Sequence, residues 1–581
     1  MNHRSRYARM LLLAAMAGCG DTAGVGPGAR GLSFDESAVQ WVAGETVQLT
    51  LRNAGDARLG PIAIRIGPVL DAAGLAQPGA AIVGDPPAIA TLAAGAAAKV
   101  QLTLRGTEVL QPGEYRSRVT AQVETGLTVE VEAAVEVLGG SSIPVASLRL
   151  TAPEAVRQGD VVRLETTARD AQGTTLPGVT PRFTVAPGDA GWVSPDGRFV
   201  AYRAGPVRIA ARAGGATDSV TLLVSTRGRR ITLQESGEGL ETRRFTSDLW
   251  VFGDHAWTGS WGVRATDQAT SPGNLLRTWQ LGAGDPVATD SLILDARTTN
   301  DVKVSADGQV GVVTHEGSED GRNGVTLLDL SDPGHPRAIG RITDGLESGV
   351  HNAWIDGDAL YLVVDGVGSG LRVFDVSDPS DPRLLASYWA GESFLHDVLV
   401  RDGLAFLAHW DAGLVILDVG AGIAGGSPSA PLEIGRLREL GGETHNVWYW
   451  PSRGVAFVGE EDFGSPGRMH VVDVSEPRAP REIATFAAPG LTPHNFWLDE
   501  EDEILYLAWY DAGVRALDVS GELLGELERQ DRLMGEWTRP GEPSVCWSGV
   551  GTCTWAPQLH DGRLYLSDVN RGLVVLTPGG G

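Results

Sequence analysis

Ten of the 11 histidines lie beyond residue 230, and four of them recur at near-constant spacing. His351, His396, His445 and His494 are separated by 45, 49 and 49 residues, and Asn352, Asn446 and Asn495 follow three of them. A second polar set falls at or near one shared later position: His315 with Glu316, Asp365, His409, Glu460 with Glu461, and Asp568. Clustered imidazoles and carboxylates are what a divalent ion needs, since imidazole suits Zn or Cu and carboxylates help to hold Ca or Mn. The candidate metal ligands are therefore His351, His396, His445, His494, His315, Glu316, His409 and Glu460, and Asp301 and Asp365 join the four repeated histidines as candidates for a ligand site. A structural reading stands beside this one. A residue that returns in every repeat often serves the fold, with the neighbouring Asn or Asp397 capping backbone groups.

Other chemistry is sparse. There is no P-loop, no dinucleotide fingerprint before a helix, no Gly-x-Ser-x-Gly elbow and no His-Glu-x-x-His. No nucleophile paired with a base emerges, so no catalytic residue is assigned. Cys546 and Cys553 are close enough in sequence to close a short loop by a disulfide, with paired thiols for a soft metal as the alternative. The acidic run Asp499 to Glu503 reads as a solvated loop or a Ca site. Trp410, Trp509, Tyr510 and Phe463 near hairpins are candidate contacts for sugars or peptides.

The elements that must carry these residues are short strands. From about residue 230 the chain repeats at roughly 45 residues, in units such as HNAWIDGDALYLVVDGVGSGLRVFDVSDPSDPRLLASYW from His351. Seven copies can be counted, the first and last degenerate. Each holds three or four strands, and four strands at this period describe a β-propeller blade. Asp378 before Pro379 fits a turn, and Gly370, Gly413 and Gly513 fit tight hairpins. The segments GLRVFDVSDPSDP, GLVILDV and HVVDVSEPRAP resemble the LVIVD repeat family, which implies a bacterial extracytoplasmic propeller over roughly 230–581. Some seven-bladed propellers carry His-rich copper centres, an analogy of fold only. The last copy has Leu576 where the others have Asp and ends without an outer strand, so Arg229 to Ser236 is expected to supply it.

Upstream, VQLTLRNAG, AKVQLTLRG and YRSRVTAQVE alternate apolar with polar residues, the pattern of antiparallel sheets with one wet face. Residues 33–140 resemble a bacterial Ig-like domain and residues 143–226 an invasin-type one; both are expected to be β-sandwich spacers. The fold class is all-β: two Ig-like β-sandwiches followed by a seven-bladed β-propeller over 229–581. Residues 1–19 have a basic start and a short apolar core ending in Met16-Ala17-Gly18-Cys19, which resembles a lipoprotein signal peptide with its lipobox. Cys19 is then the lipidation site, residues 20–32 are a flexible tether, and the chain is exported and held in the cell envelope, at the outer membrane or cell surface.

Composition narrows the partners. With 47 basic and 73 acidic residues the net charge is −26, which argues against nucleic acid. Two functions stay open. The first is a membrane-anchored lipoprotein binding a protein or glycan on a propeller face. The second is a metal-dependent enzyme, an oxidoreductase or hydrolase, with Cu, Zn or Ca in the channel.

Overall fold

A computed structural model describes residues 31–580 apart from 37, 44–45, 72–74, 107–109, 111–112, 124–126, 138–144, 195, 267–268, 367, 369, 392–393, 439, 441–442, 463–466, 491, 542–545 and 547–550. The signal segment, Cys19, most of the tether and Phe463 lie outside the described residues. Those residues are nearly all strand and turn, with 3-10 turns and no α-helix among them. Among them, no helix is long and apolar enough to cross a membrane.

Two N-terminal units each enclose a separate core. In the first, a sheet of four strands (Leu32–Phe34, Thr46–Asn53, Ala97–Arg105, Ala81–Asp85) and one of five share a core containing Trp41, Leu49, Leu51, Val100, Leu102, Val119 and Val135. The alternation is clean: along Gly113–Val123, every second residue from Tyr115 to Val123 is buried, because only one face of the sheet meets the core. In the second unit, Leu150, Phe199, Val207, Ile209, Leu222 and Val224 form the core.

Seven further sheets follow. Each has four antiparallel strands, consecutive in the chain in four of them, as in Val350–Asp356, Ala359–Val364, Gly370–Asp375 and Arg383–Tyr388, and one gains a fifth, parallel strand, Gly525–Glu526. The second strands Ala359–Val364, Leu404–His409 and Val455–Glu460 are buried at every position. Period-two alternation disappears there because neighbouring sheets cover both faces. The fourth strands are less buried, as in Arg383–Tyr388. Seven apolar clusters lie between adjacent sheets. One joins Val363 and Leu371 to Val398 and Leu407, and the next joins Phe406 and Ile416 to Val447 and Val458. Each buried Leu, Val or Phe contributes roughly 1.5–3 kcal/mol, so these interfaces are the main cohesive term.

The contacts close on themselves. The first strand of each sheet touches the first strand of the next, and Thr554–His560 of the last touches Phe245–Phe252 of the first. The last sheet takes its fourth strand from Ile231–Leu240, paired antiparallel with Gly572–Gly580. The two ends of this region are therefore joined in one sheet, as the missing outer strand of the last copy requires.

Local chemistry repeats with the sheets. Asp329, Asp375, Asp473 and Asp518 each end a third strand and accept the backbone N–H two residues on, at 2.9–3.0 Å. This turn bond explains the recurring Asp-Val-Ser. Gly370 and Gly413 begin third strands and Gly513 immediately precedes one, all at positive φ, and a Cβ on Gly413 would sit 2.1 Å from the Leu437 carbonyl oxygen. Only glycine permits that approach.

Candidate functional site

The first strands converge on a central channel, and a shared irregularity aims their side chains. The pairing of first with second strand slips between Val350 and Asn352, Leu395 and Asp397, Thr444 and Asn446, and Thr554 and Ala556. The extra residue is His351, His396, His445 and Trp555 in turn. A β-bulge leaves such a residue unpaired and re-aims its side chain. His494 occupies the same place just before Phe496–Asp499.

The four histidines meet as an arc. Successive ring centroids are 4.3 Å (His351–His396), 4.1 Å (His396–His445) and 4.3 Å (His445–His494) apart, and Trp555 extends the file 4.5 Å beyond His494. They line a cavity of about 20 Å³ together with Asp248, Asn300, Asp301, Asn352, Asp397 and Asn495. The rings do not surround one point. They fall into two groups of possible ligands, each with its donor atoms within 4.8 Å of one another: His396, His445 and Glu461, and Glu316, His351 and Asp365.

The histidines also tie neighbouring sheets. His396 Nδ1 lies 3.1 Å from the His445 carbonyl oxygen, and His494 Nδ1 lies 2.6 Å from that of Trp555. An Nδ1–H donated to a carbonyl leaves Nε2 with its lone pair. Structural and ligating roles are thus compatible in one ring. His445 is buried, and neither of its ring nitrogens has a hydrogen bond. Its Nε2 is 3.6 Å from Glu461 Oε2, and His494 Nε2 is 4.0 Å from Glu461 Oε1. The Tyr510 hydroxyl donates to Glu461 Oε1.

Electrostatics divide the arc. Burial holds His396 and His445 well below the usual imidazole range and pushes His494 down to about 3. Burial also opposes charge on His351, but the Glu316 carboxylate 3.3 Å from its Nδ1, helped by Asp365, raises it to about 9. Burial lifts Glu461 to about 8, against the Tyr510 hydrogen bond.

The opposite side of the channel holds Lys303. Its ammonium pairs with Asp301, lies 3.4 Å from Asp248, and stands 5.4 Å from the centre of the Trp250 ring. Burial disfavours this charge, but Asp301 and Asp248 raise the lysine above its ordinary value. Burial lifts Asp248 and Asp397 to about 7, against the pull of Lys303. Asp301 also accepts the Ala353 N–H at 2.9 Å, and Asn352 accepts that of Val398 at 3.3 Å, so this polar layer also bridges sheets.

A second cavity, of about 50 Å³, lies on the other side of that layer, since Asp248, Asn352, Asp397 and Asn495 line both. Half-buried Trp250, Trp354, Trp448 and Trp497 line it, with Lys303, Asn446 and Gln558. Trp448 and Trp497 are 4.8 Å apart, and Trp250 meets Trp354 and Trp497 edge-on at 5.9 and 6.2 Å. These tryptophans carry a sequence signal of their own: HNAW, HNVW and HNFW repeat the Trp three positions after the His.

The remaining sequence candidates lie elsewhere. His315 Nε2 meets Thr326 at 3.2 Å, and burial lowers it to about 4. Glu460 pairs with His470, and neither it nor His409 or His315 belongs to the two ligand groups. Asp301 contacts Lys303. Asp568 accepts the Cys553 N–H at 2.8 Å and so holds the loop closed by the Cys546–Cys553 disulfide. The surface reading of Trp509 and Tyr510 is corrected: both are fully buried, because they pack between adjacent sheets. Glu500 and Glu503 in the acidic run pair with Arg401 and Arg453, each at 2.5 Å.

Residues 350–389 and 395–438 match the LVIVD repeat. No curated protein matches the chain. A crystal structure of the computationally designed Ika8 protein is similar over 60% of this chain and 100% of its own, at 11% identity and a TM-score of 0.38.

Proposed function

We propose that this is a cell-envelope lipoprotein, anchored by a lipid on Cys19, in which two Ig-like β-sandwiches carry a seven-bladed β-propeller whose tryptophan-lined mouth binds a glycan. The closed cycle of first strands and the seven inter-sheet cores favour the propeller reading. The two N-terminal cores, each shared between sheets, favour the sandwiches.

One observation carries the binding reading: four half-buried indoles lie over a floor of amides and carboxylates at one end of the channel. Aromatic faces with a few convergent polar groups suit a ligand that is apolar on its faces and hydroxylated at its edges. A sugar ring would rest on the indoles at the mouth, with its hydroxyls toward the amides and carboxylates. The test is a titration of the full mature chain with soluble peptidoglycan fragments and neutral oligosaccharides, read by tryptophan emission. A saturable shift that is lost in Trp354→Ala and Trp497→Ala supports the reading. Wild-type emission that stays flat across the panel overturns it.

A further inference from the structure

We infer that the channel also holds a divalent transition-metal ion, at a site made by His396, His445 and Glu461 with His494 at its edge. The donor atoms of the first three lie within 4.8 Å of one another. Three ligands around one Zn or Cu ion, each about 2.1 Å from it, stand about 3.4–3.6 Å apart. Side-chain shifts of less than about one ångström therefore assemble the site.

Three features distinguish this group from an ordinary polar cluster. His445 is 2% exposed and neither of its nitrogens is hydrogen-bonded, although an unpaired buried polar group is costly. His396 and His494 each spend Nδ1 on the main chain of the next sheet, which fixes their orientation and leaves Nε2 as the basic nitrogen. Glu461 is held by Tyr510 through one oxygen, while the other faces His445. Neighbour-held imidazoles, a tethered carboxylate and an unspent imidazole are the parts of a metal centre with its supporting shell. Imidazole donors without a thiolate select Zn or Cu(II) over Ca or Mg. Glu316, His351 and Asp365 form a weaker competitor, because the two carboxylates there already hold the His351 ring.

The inference is independent of glycan binding, which uses the other cavity. The experiment is calorimetric titration of the full mature chain, free of any polyhistidine tag and stripped by chelator, with Zn and with Cu(II). Cu(II) also quenches indole emission, and Trp555 and Trp410 stand 4.5 and 5.2 Å from His494 and His396. One equivalent is expected to bind. Affinity should fall at least 100-fold in His445→Gln and about tenfold in Tyr510→Phe, which keeps the core ring and removes the hydroxyl that holds the carboxylate. His335→Ala, at an exposed site, should bind as the wild type does. If His445→Gln fails to fold, Tyr510→Phe and Glu461→Gln carry the test. Absence of stoichiometric binding to the wild type, or unchanged affinity in folded His445→Gln, Glu461→Gln and Tyr510→Phe, overturns the inference.

Discussion

The two sides of the channel bury polar groups by opposite means. On one side Lys303, Asp301 and Asp248 satisfy one another, Asn495 donates to Asp248 at 3.2 Å, and Asp301 bonds the backbone of the next sheet. On the other side His445 has no hydrogen-bond partner, and the rings of His396 and His494 bond through one nitrogen only. The two sets come from different places in the repeat: Asp248 and Asp301 stand where Asn352 does and Lys303 where Trp354 does, one and three residues after the histidine position. The charged network ties sheets together and pairs its own cation and carboxylates, while Asn300 Oδ1 beside it has no hydrogen bond. An incomplete one, buried, has capacity for something that is not part of the chain.

The largest effect should come from breaking the complete side. Lys303→Met leaves Asp301 and Asp248 as a buried carboxylate pair without its cation. A loss of about 3–5 kcal/mol is expected in urea unfolding followed by tryptophan emission. A loss below about 1 kcal/mol would show that Lys303 does not tie these sheets together.

The same logic extends to the junction between the second N-terminal unit and the sixth sheet. There Arg227 bonds Asp518 at 2.5 Å with both side chains buried, Arg229 bonds it at 3.1 Å, and Arg532 donates to the Gly159 carbonyl at 2.9 Å. Burial alone would raise Asp518, but the Arg227 hydrogen bond and the Ser520 contacts hold it down at about 2. A carboxylate depressed in the folded state gives stability that is full above its unfolded value near 4 and is lost as pH falls toward 2. That contribution is about 2 kcal/mol. Unfolding at pH 5 and at pH 2.5 should differ by about this amount more in the wild type than in Asp518→Asn. Identical pH dependence in the two would remove the junction from the comparison.

The smallest effect should come from the incomplete side. Without metal, His445→Phe removes a buried group that has no hydrogen bond to lose, so stability should change by no more than about 1 kcal/mol in either direction. A loss of several kcal/mol in chelator would mean that His445 supports the fold in a way its contacts do not show, and would erase the contrast.

Much of the fold was legible because it rests on local rules that repeat. The third-strand Asp makes its turn bond wherever Asp-Val-Ser occurs, and Gly413 and its equivalents stand where no Cβ fits. The 45- to 49-residue spacing of the histidines places them at one level of successive sheets. Partnership was not legible. Glu460 and Glu461 are neighbours in sequence, but strand alternation sends one to His470 and the other to His445. The bulge that aims the histidines adds one residue without a marker in composition. Lys303 was missed because its partner Asp248 comes from another sheet, 55 positions away. Trp509 and Tyr510 were misplaced because a hairpin position looks exposed until a neighbouring sheet covers it.

The sequence by itself determined the strands, their period, their turns and the position at which histidine returns, because these follow from backbone sterics and short-range hydrogen bonds. Only the tertiary structure decided which equivalent positions face one another across the channel, and therefore which charges cancel and which nitrogens remain unspent. That choice depends on the closing of the ring, which brings together side chains from sheets that have no contact along the chain.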